Sequence, residues 1–259
     1  LIKGAGATKV STALRDEICR IGRSLFDRGY VHATAGNISA RLDDGTFLIT
    51  PTDACLGALD ASRLAHVGAD GVQIGGDAAS KTLALHRRIY ASSDARCVIH
   101  THSTHLVALT LQGVWSDDDI VPPITPYFVM KVGHVPLIAY HRPGDPAVAE
   151  RVAETLARFA VRGTPLRALM IERLGPNVWH DSPAAASAVL EELEETARLW
   201  LLAQPRPTPL DEAQIEALRR TFDATPEPRL VVAVGDCGCN GGIFGVSYAS
   251  CGRVANVIP

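Results

Sequence analysis

Apolar positions recur at helical spacing over residues 12–29. Leu14, Ile18, Ile21, Leu25 and Phe26 share one face, and Arg and Asp residues lie between them. Gly29 closes the stretch, so a helix is predicted there. The pattern then changes. "HATAGNISARL" passes through a Gly-Asn turn into a predicted strand, and "TFLITP" (46–51) reads as a second strand stopped by Pro51. Helical spacing returns over 80–91, with Ser80 as cap and Leu85 and Ile89 inward. "CVIHTH" (97–102) reads as a buried strand. "VPPITPYF" carries three prolines and is expected to be irregular. "VPLIAY" (135–140) and "LRALMIE" (166–172) read as strands. "RPGDP" (142–146) is a turn that launches a helix over 147–161. A long helix is expected over 183–203, with Leu190, Leu193, Ala197, Trp200 and Leu201 inward. "QPRPTP" breaks it before a short helix over 210–222. Interspersed helices and strands predict an α/β or α+β class.

The composition permits a large core and narrows the function. The chain has 259 residues, 47% of them apolar, and a net charge of −3, so no nucleic-acid-binding face is expected. No apolar run approaches the roughly 20 residues that span a bilayer, and no membrane partner is expected. The chain opens on Leu1 without a charged segment leading into an apolar one. A cytoplasmic protein with free thiols at Cys19, Cys55 and Cys97 is therefore expected. Near residue 224 the character changes: "ATPEP" reads as a linker, followed by a Gly-rich stretch with Cys237, Cys239 and Cys251. The division expected is 1–223 and 224–259.

Chemistry concentrates in a few places. Side chains alternate along a strand, so Val98, His100 and His102 are expected on one face and Cys97, Ile99 and Thr101 on the other. Two imidazoles so placed converge on one divalent ion; the alternative is a pair of core histidines satisfied by backbone carbonyls. Three turns suit an anion. Gly36 and Asn37 offer backbone N–H groups and a carboxamide, "TPTDA" holds Thr52 and Asp53, and "ASKT" opens a helix with Ser80, Lys81 and Thr82. Each has an ordinary reading as turn, strand end or cap.

The order "AGNIS", "LITPT", "SK", "H..IY", "H.H" resembles the class II aldolase and adducin-head superfamily over about residues 12–222. Within it, "PPITPYFVMKVGHVPLIAYHRPGDP" (122–146) and "EELEETARL" (191–199) are most similar to the 3-oxo-tetronate 4-phosphate decarboxylases. The resemblance implies a three-layer α/β/α sandwich with a central sheet, a homotetramer with its site at an interface, and a sugar-acid phosphate as substrate. It implies phosphate held by Asn37, Thr52, Ser80 and Lys81. It also implies a divalent metal, zinc on the softness of its ligands, with His100 and His102 as two of them.

Three positions depart from that pattern. Leu174 in "RLG" stands where the superfamily has the His of "NHG"; Thr82 stands where it has a catalytic Glu; Asp53 replaces the glycine of a phosphate turn. A replacement metal donor could come from His134, His141, His180 or the substrate's oxygens. Lys81 is expected to neutralise Asp53. A missing Glu suits a decarboxylase, which needs no base to begin, better than an aldolase. Lys81 or Tyr127 would then supply the proton. An aldolase, and an inactive adducin-like scaffold, are the rival expectations. The tail over 229–259 resembles the small iron–sulfur subunit of hydrogenases and quinone oxidoreductases. It has three of the four thiolates that a cubane takes, so no cluster is expected.

Overall fold

The computed structural model describes residues 3–224, with side chains from Thr12 onward, together with the backbone of 246–247 and 250–251. Backbone contacts divide the chain into Leu1–Ile215 and Glu216–Pro259. In the second unit the end of a helix and a pair of two-residue strands are described. Cys237 and Cys239, and the side chain of Cys251, lie outside the described residues.

The first unit is built on one eight-stranded sheet. Its strands in chain order are β1 (Asn37–Arg41), β2 (Phe47–Ile49), β3 (Ala65–Val67), β4 (Gln73–Gly75), β5 (Cys97–His100), β6 (Leu137–Ile138), β7 (Ala168–Ile171) and β8 (Gly175–His180). The spatial order is β4-β3-β2-β1-β5-β8-β7-β6. Every pair is antiparallel except β6 and β7. Alternation sends successive side chains to two separate cores. Ile38, Ala40, Cys97, Ile99 and Val178 join α1 (Lys3–Asp27), α3 (Thr104–Gln112) and α5 (Pro183–Leu202) on one side. Val98, Leu169, Ile171 and Trp179 join α2 (Leu83–Ala91) and α4 (Ala147–Val161) on the other. This is the expected three-layer α/β/α sandwich.

The helices follow their patterns. Ile18, Ile21 and Leu25 of α1 are fully buried. The chain then leaves through Gly29, whose φ of +75° suits a residue without Cβ. Helix α4 starts where Asp145 accepts the N–H of Ala147, and buries Val148, Val152, Leu156 and Phe159 at helical spacing. Helix α5 is capped by Ser182, which accepts from Ala185, with Pro183 in its first turn. A sixth helix, α6 (Glu212–Ala224), follows.

Several expectations need correction. The expected strand over 97–102 stops at His100, and Thr101 to Ser103 lead directly into α3, which the sequence pattern did not reveal. Strands β3, β4 and β8 were also not foreseen. The proline-rich stretch ends in a π-helical segment, Phe128–Val132. Ser80 does not cap α2 with its side chain; the helix begins at Leu83, and the Ser80 hydroxyl bonds that of Thr82 at 2.8 Å.

Candidate active site

The middle of the sheet carries a polar row. In the ladder Asn37 pairs with His100, and His100 pairs with Asn177. Direct cross-strand partners share a face, so these three side chains point the same way as Val98 and Trp179, toward α2. All three are buried. The His100 Nδ1–H donates to the Pro176 carbonyl at 2.8 Å, which leaves Nε2 with its lone pair directed away from that bond. Burial pulls the pKa of His100 down to about 4, helped by the His102 charge and opposed by the Pro176 bond. The ring is neutral at pH 7 and able to ligate or accept.

His102 lies past the strand end, so strand alternation does not place it. The turn into α3 does. Its ring nevertheless stands edge-on to that of His100, with centroids 5.0 Å apart. The turn is held from a distance by Glu194 of α5. Its buried carboxylate accepts from the backbone N–H groups of His105 and Leu106 and from His105 Nδ1. His102 is half-buried. Its pKa is lowered by burial and then by the charge of His32.

Two turns press on the His100–His102 backbone from opposite sides. A Cβ on Gly36 would stand 2.8 Å from the His100 carbonyl, and one on Gly175 would stand 1.9 Å from that of Thr101. Both glycines have positive φ. Leu174, the residue before Gly175, is half-buried and packed with the α2-side core. Its neighbour Arg173 holds a φ of +62°, a conformation that Asn or Gly adopts more readily.

The anion turns are joined by their backbones. Pro51 bridges Ala79; the Thr52 N–H donates to Ala78 O, the Ser80 N–H to Thr50 O, and the Thr52 hydroxyl to Ala79 O. Thr50 in turn accepts from Ile38 N at 3.2 Å, one residue beyond Asn37. Asn37, Thr52 and Ser80 are thus assembled into one region, with Lys81 exposed at its rim. Asp53 adopts a φ of +56°, a conformation that glycine takes without strain. The expected Asp53–Lys81 ion pair is not formed; among the described residues neither side chain is ion-paired. A cavity of about 570 Å³ opens beside Thr52 and Asp53, with the Arg63–Asp77 ion pair in its wall; neither His100 nor His102 lines it.

Beneath the row, His86 of α2 is fully buried. Its Nδ1 shares a hydrogen with Ser39 Oγ at 2.8 Å, and Ser39 also bonds the Tyr90 hydroxyl at 2.7 Å. Burial, with His100 nearby, pushes the His86 pKa down to about 3. Asn37 Oδ1, His86 Nε2 and Asn177 Nδ2 are buried without a hydrogen-bond partner among the described residues. Such orphans are rare and costly, and here they face the same side of the sheet as His100. Tyr127 lies elsewhere. It precedes the π-helical segment, whose Phe128 and Val132 pack in the α5-side core, and Lys131 Nζ stands 5.5 Å from its ring centroid.

The chain matches the Class II Aldolase and Adducin N-terminal domain family over residues 16–201. It belongs to that family. The 3-oxo-tetronate 4-phosphate decarboxylase of Cupriavidus necator is 57% identical over 217 residues, covering 82% of this chain and 96% of the relative. The protein of that name from Escherichia coli K12 is 43% identical over 201 residues, covering 77% and 91%. Among solved structures, YgbL of Escherichia coli superposes with a TM-score of 0.75 at 40% identity, covering 81% of this chain and 99% of that one. An L-fuculose 1-phosphate aldolase, at 19% identity and a TM-score of 0.69 over 82% of this chain and 96% of its own, shares the fold. Residues 181–259 separately match the NADH ubiquinone oxidoreductase 20 Kd subunit family, and so include the tail.

The histidine positions of this class II aldolase-like chain do not by themselves make a complete metal centre. Catalytic zinc usually takes three protein ligands. His100 and His102 offer two, Leu174 offers none, and no three His, Cys, Asp or Glu side chains stand converged among the described residues. One member of the buried row was not legible in the sequence. Asn177 lies in "GPNVWH", where proline and glycine obscured a central strand. An isolated Asn amid Val and Trp was the available signal for Asn177.

Proposed function

We propose that the chain decarboxylates a 3-oxo-tetronate 4-phosphate to a triose phosphate ketone and CO2. The observation that carries this reading is Thr82. Retro-aldol cleavage begins when a base removes a hydroxyl proton. Helix α2 has no acidic residue, and the Thr82 hydroxyl is engaged with Ser80 at 2.8 Å. Decarboxylation of a 3-oxo acid needs no such base. The C1–C2 bond breaks, CO2 leaves, and the electron pair moves toward the C3 oxygen; a proton then adds at C2. The similarity to the Cupriavidus decarboxylase over most of both chains supports the same choice.

In this reading Gly36, Asn37, Thr52, Ser80 and Lys81 hold the phosphate, and Asp53 sits at the turn beside it. His100 and His102 would hold a divalent cation that the substrate's carbonyl and hydroxyl oxygens chelate, and the unpartnered Asn177 carboxamide donates to a substrate oxygen. Lys81, at the start of α2, delivers the proton at C2. Tyr127, in the opposite layer, is the less suitable of the two donors proposed from the sequence. Zinc is the cation proposed for the imidazoles.

The domain reading is a class II aldolase-like domain over 1–223 with an appended tail over 224–259. A cytoplasmic homotetramer belongs to the same proposal. Exposed Leu111, Trp115, Leu199 and Leu202 on or beside α3 and α5 support association. Among the described residues no helix is long and apolar enough to cross a membrane.

The test is CO2 release from a panel of 3-oxo-tetronate 4-phosphates, alongside aldehyde release from sugar phosphates. CO2 with one member of the panel supports the reading. Aldehyde without CO2 makes the chain an aldolase, and neither product makes it an inactive scaffold.

A further inference from the structure

Helix α2 brings a histidine beneath the polar row that the chemistry above leaves unused. His86 is fully buried, and so is Ser39, whose hydroxyl lies 2.8 Å from His86 Nδ1 and 2.7 Å from the Tyr90 hydroxyl. The three groups form one unbroken chain of hydrogen bonds, and the chain has a direction.

The direction follows from counting protons. Ser39 Oγ is the only acceptor bonded to the Tyr90 hydroxyl among the described residues, and Tyr90 is 3% exposed. If the bonds ran from His86 to Ser39 to Tyr90, the phenol proton would be buried without an acceptor. If both neighbours donated to Ser39, the serine proton would be. Run from Tyr90 to Ser39 to His86, both hydroxyl protons are used. A buried donor left unpaired is costly, so the last order holds. Nδ1 is then an acceptor, and the one proton of the neutral ring sits on Nε2.

That Nε2–H is buried and has no acceptor among the described residues. Its complement lies one same-face step along β1. Side chains alternate on a strand, so Asn37 and Ser39 share a face, with Cα atoms roughly 7 Å apart. Asn37 Oδ1 is buried and has no donor among the described residues. An N–H without an acceptor and a carboxamide oxygen without a donor thus belong to neighbouring same-face positions of one strand. The third such atom, Asn177 Nδ2, is itself a donor and lies two strands from β1, so it is no partner for His86.

We propose that His86 is a positioning residue for phosphate: its Nε2–H engages Asn37 Oδ1 as the anion arrives and turns the Asn37 Nδ2 donors toward it. The inference rests on the reading of Asn37 as a phosphate ligand. A carboxamide has two ends of similar shape, and only the nitrogen end attracts an anion. A donor behind the oxygen fixes which end faces out. Ser39 and Tyr90 act one bond further back, by keeping the proton on Nε2.

The test uses inorganic phosphate with the full chain and two substitutions that separate the ring nitrogens. Glutamine carries an amide N–H out to the place of Nε2, whereas asparagine reaches only that of Nδ1. Phosphate affinity is measured by calorimetric titration on protein with the wild-type far-UV spectrum. His86→Asn should weaken phosphate binding about 10-fold, the worth of one hydrogen bond, and His86→Gln should stay within about 2-fold of the wild type. Val152→Ala, in the core on the same side of the sheet, should lower stability and leave phosphate affinity unchanged. Nitrogen-15 NMR reads the wild-type ring directly, with His86→Gln assigning its signals, and the Nε2–H form is expected. The Nδ1–H form would overturn the inference. So would equal losses in His86→Asn and His86→Gln, which would reduce the ring to packing. Loss of phosphate in Asn37→Ala with none in His86→Asn would sink this inference alone. Phosphate binding by Asn37→Ala equal to the wild type would sink the phosphate role of Asn37, and this inference with it.

Discussion

The two halves of the site are built by different means. The half proposed to hold the anion is largely backbone-made: the Pro51–Ala79 bridge and the bonds of Thr52 and Ser80 to opposing carbonyls hold its turns together. Asp53 and Thr82 sit within that frame. The imidazole half is side-chain-made. Its backbone is equally fixed, by Gly36 and Gly175, but the chemistry proposed for it rests on the rings of His100 and His102. A departure from the family pattern therefore means something different in each half. In the first it shifts affinity; in the second it changes which residues can act.

The largest expected effect lies under the imidazole half. His86→Ala removes a fully buried ring and its bond to Ser39, and should cost about 3 kcal/mol of stability by urea denaturation. In the wild type, the unfolded chain takes up a proton near pH 6.5 that the folded His86 refuses until about pH 3. Stability should accordingly fall as pH drops through that window, by up to about 1.4 kcal/mol per pH unit for this ring. His86→Ala should flatten that slope.

Next is His100→Ala, expected to lower kcat/KM for CO2 release by about 100-fold, equivalent to about 2.7 kcal/mol. Equal loss from a substitution in the anion half would erase the distinction drawn above. Lys81→Ala should raise KM for the phosphorylated substrate by about 10-fold, or about 1.4 kcal/mol. If Lys81 also delivers the proton, kcat falls with it. A KM change alone would confine Lys81 to phosphate. Smallest is Asp53→Gly. Relieving the φ of +56° should gain up to about 1 kcal/mol in thermal or urea unfolding. Removing the charge should lower KM rather than raise it.

Much of the scaffold was readable because pattern and punctuation agreed. The α4 helix runs over Ala147–Val161, as "RPGDP" and its apolar spacing predict. The same holds for α5, whereas α1 carries the predicted face but begins at Lys3, nine residues before the expected start. The short strands β3 and β4 were not readable, because three residues are too few to show a period. Strand β8 was hidden by Pro176, whose ring removes a donor. There Pro176 sits second in the strand, and its carbonyl receives His100 Nδ1–H.

His100 was identified for the right reason, since it does point from a strand with Val98. His102 was grouped with it by alternation, but the strand ends between them and a helix-leading turn brings the rings together.

Gly175 leaves no room for any side chain against the Thr101 carbonyl, so the loop there keeps its course regardless of what residue 174 is. Anchor and reagent have become independent parts. A substitution at 174 is thus expected to change which group the turn presents while Gly175 keeps the turn seated on the Thr101 carbonyl.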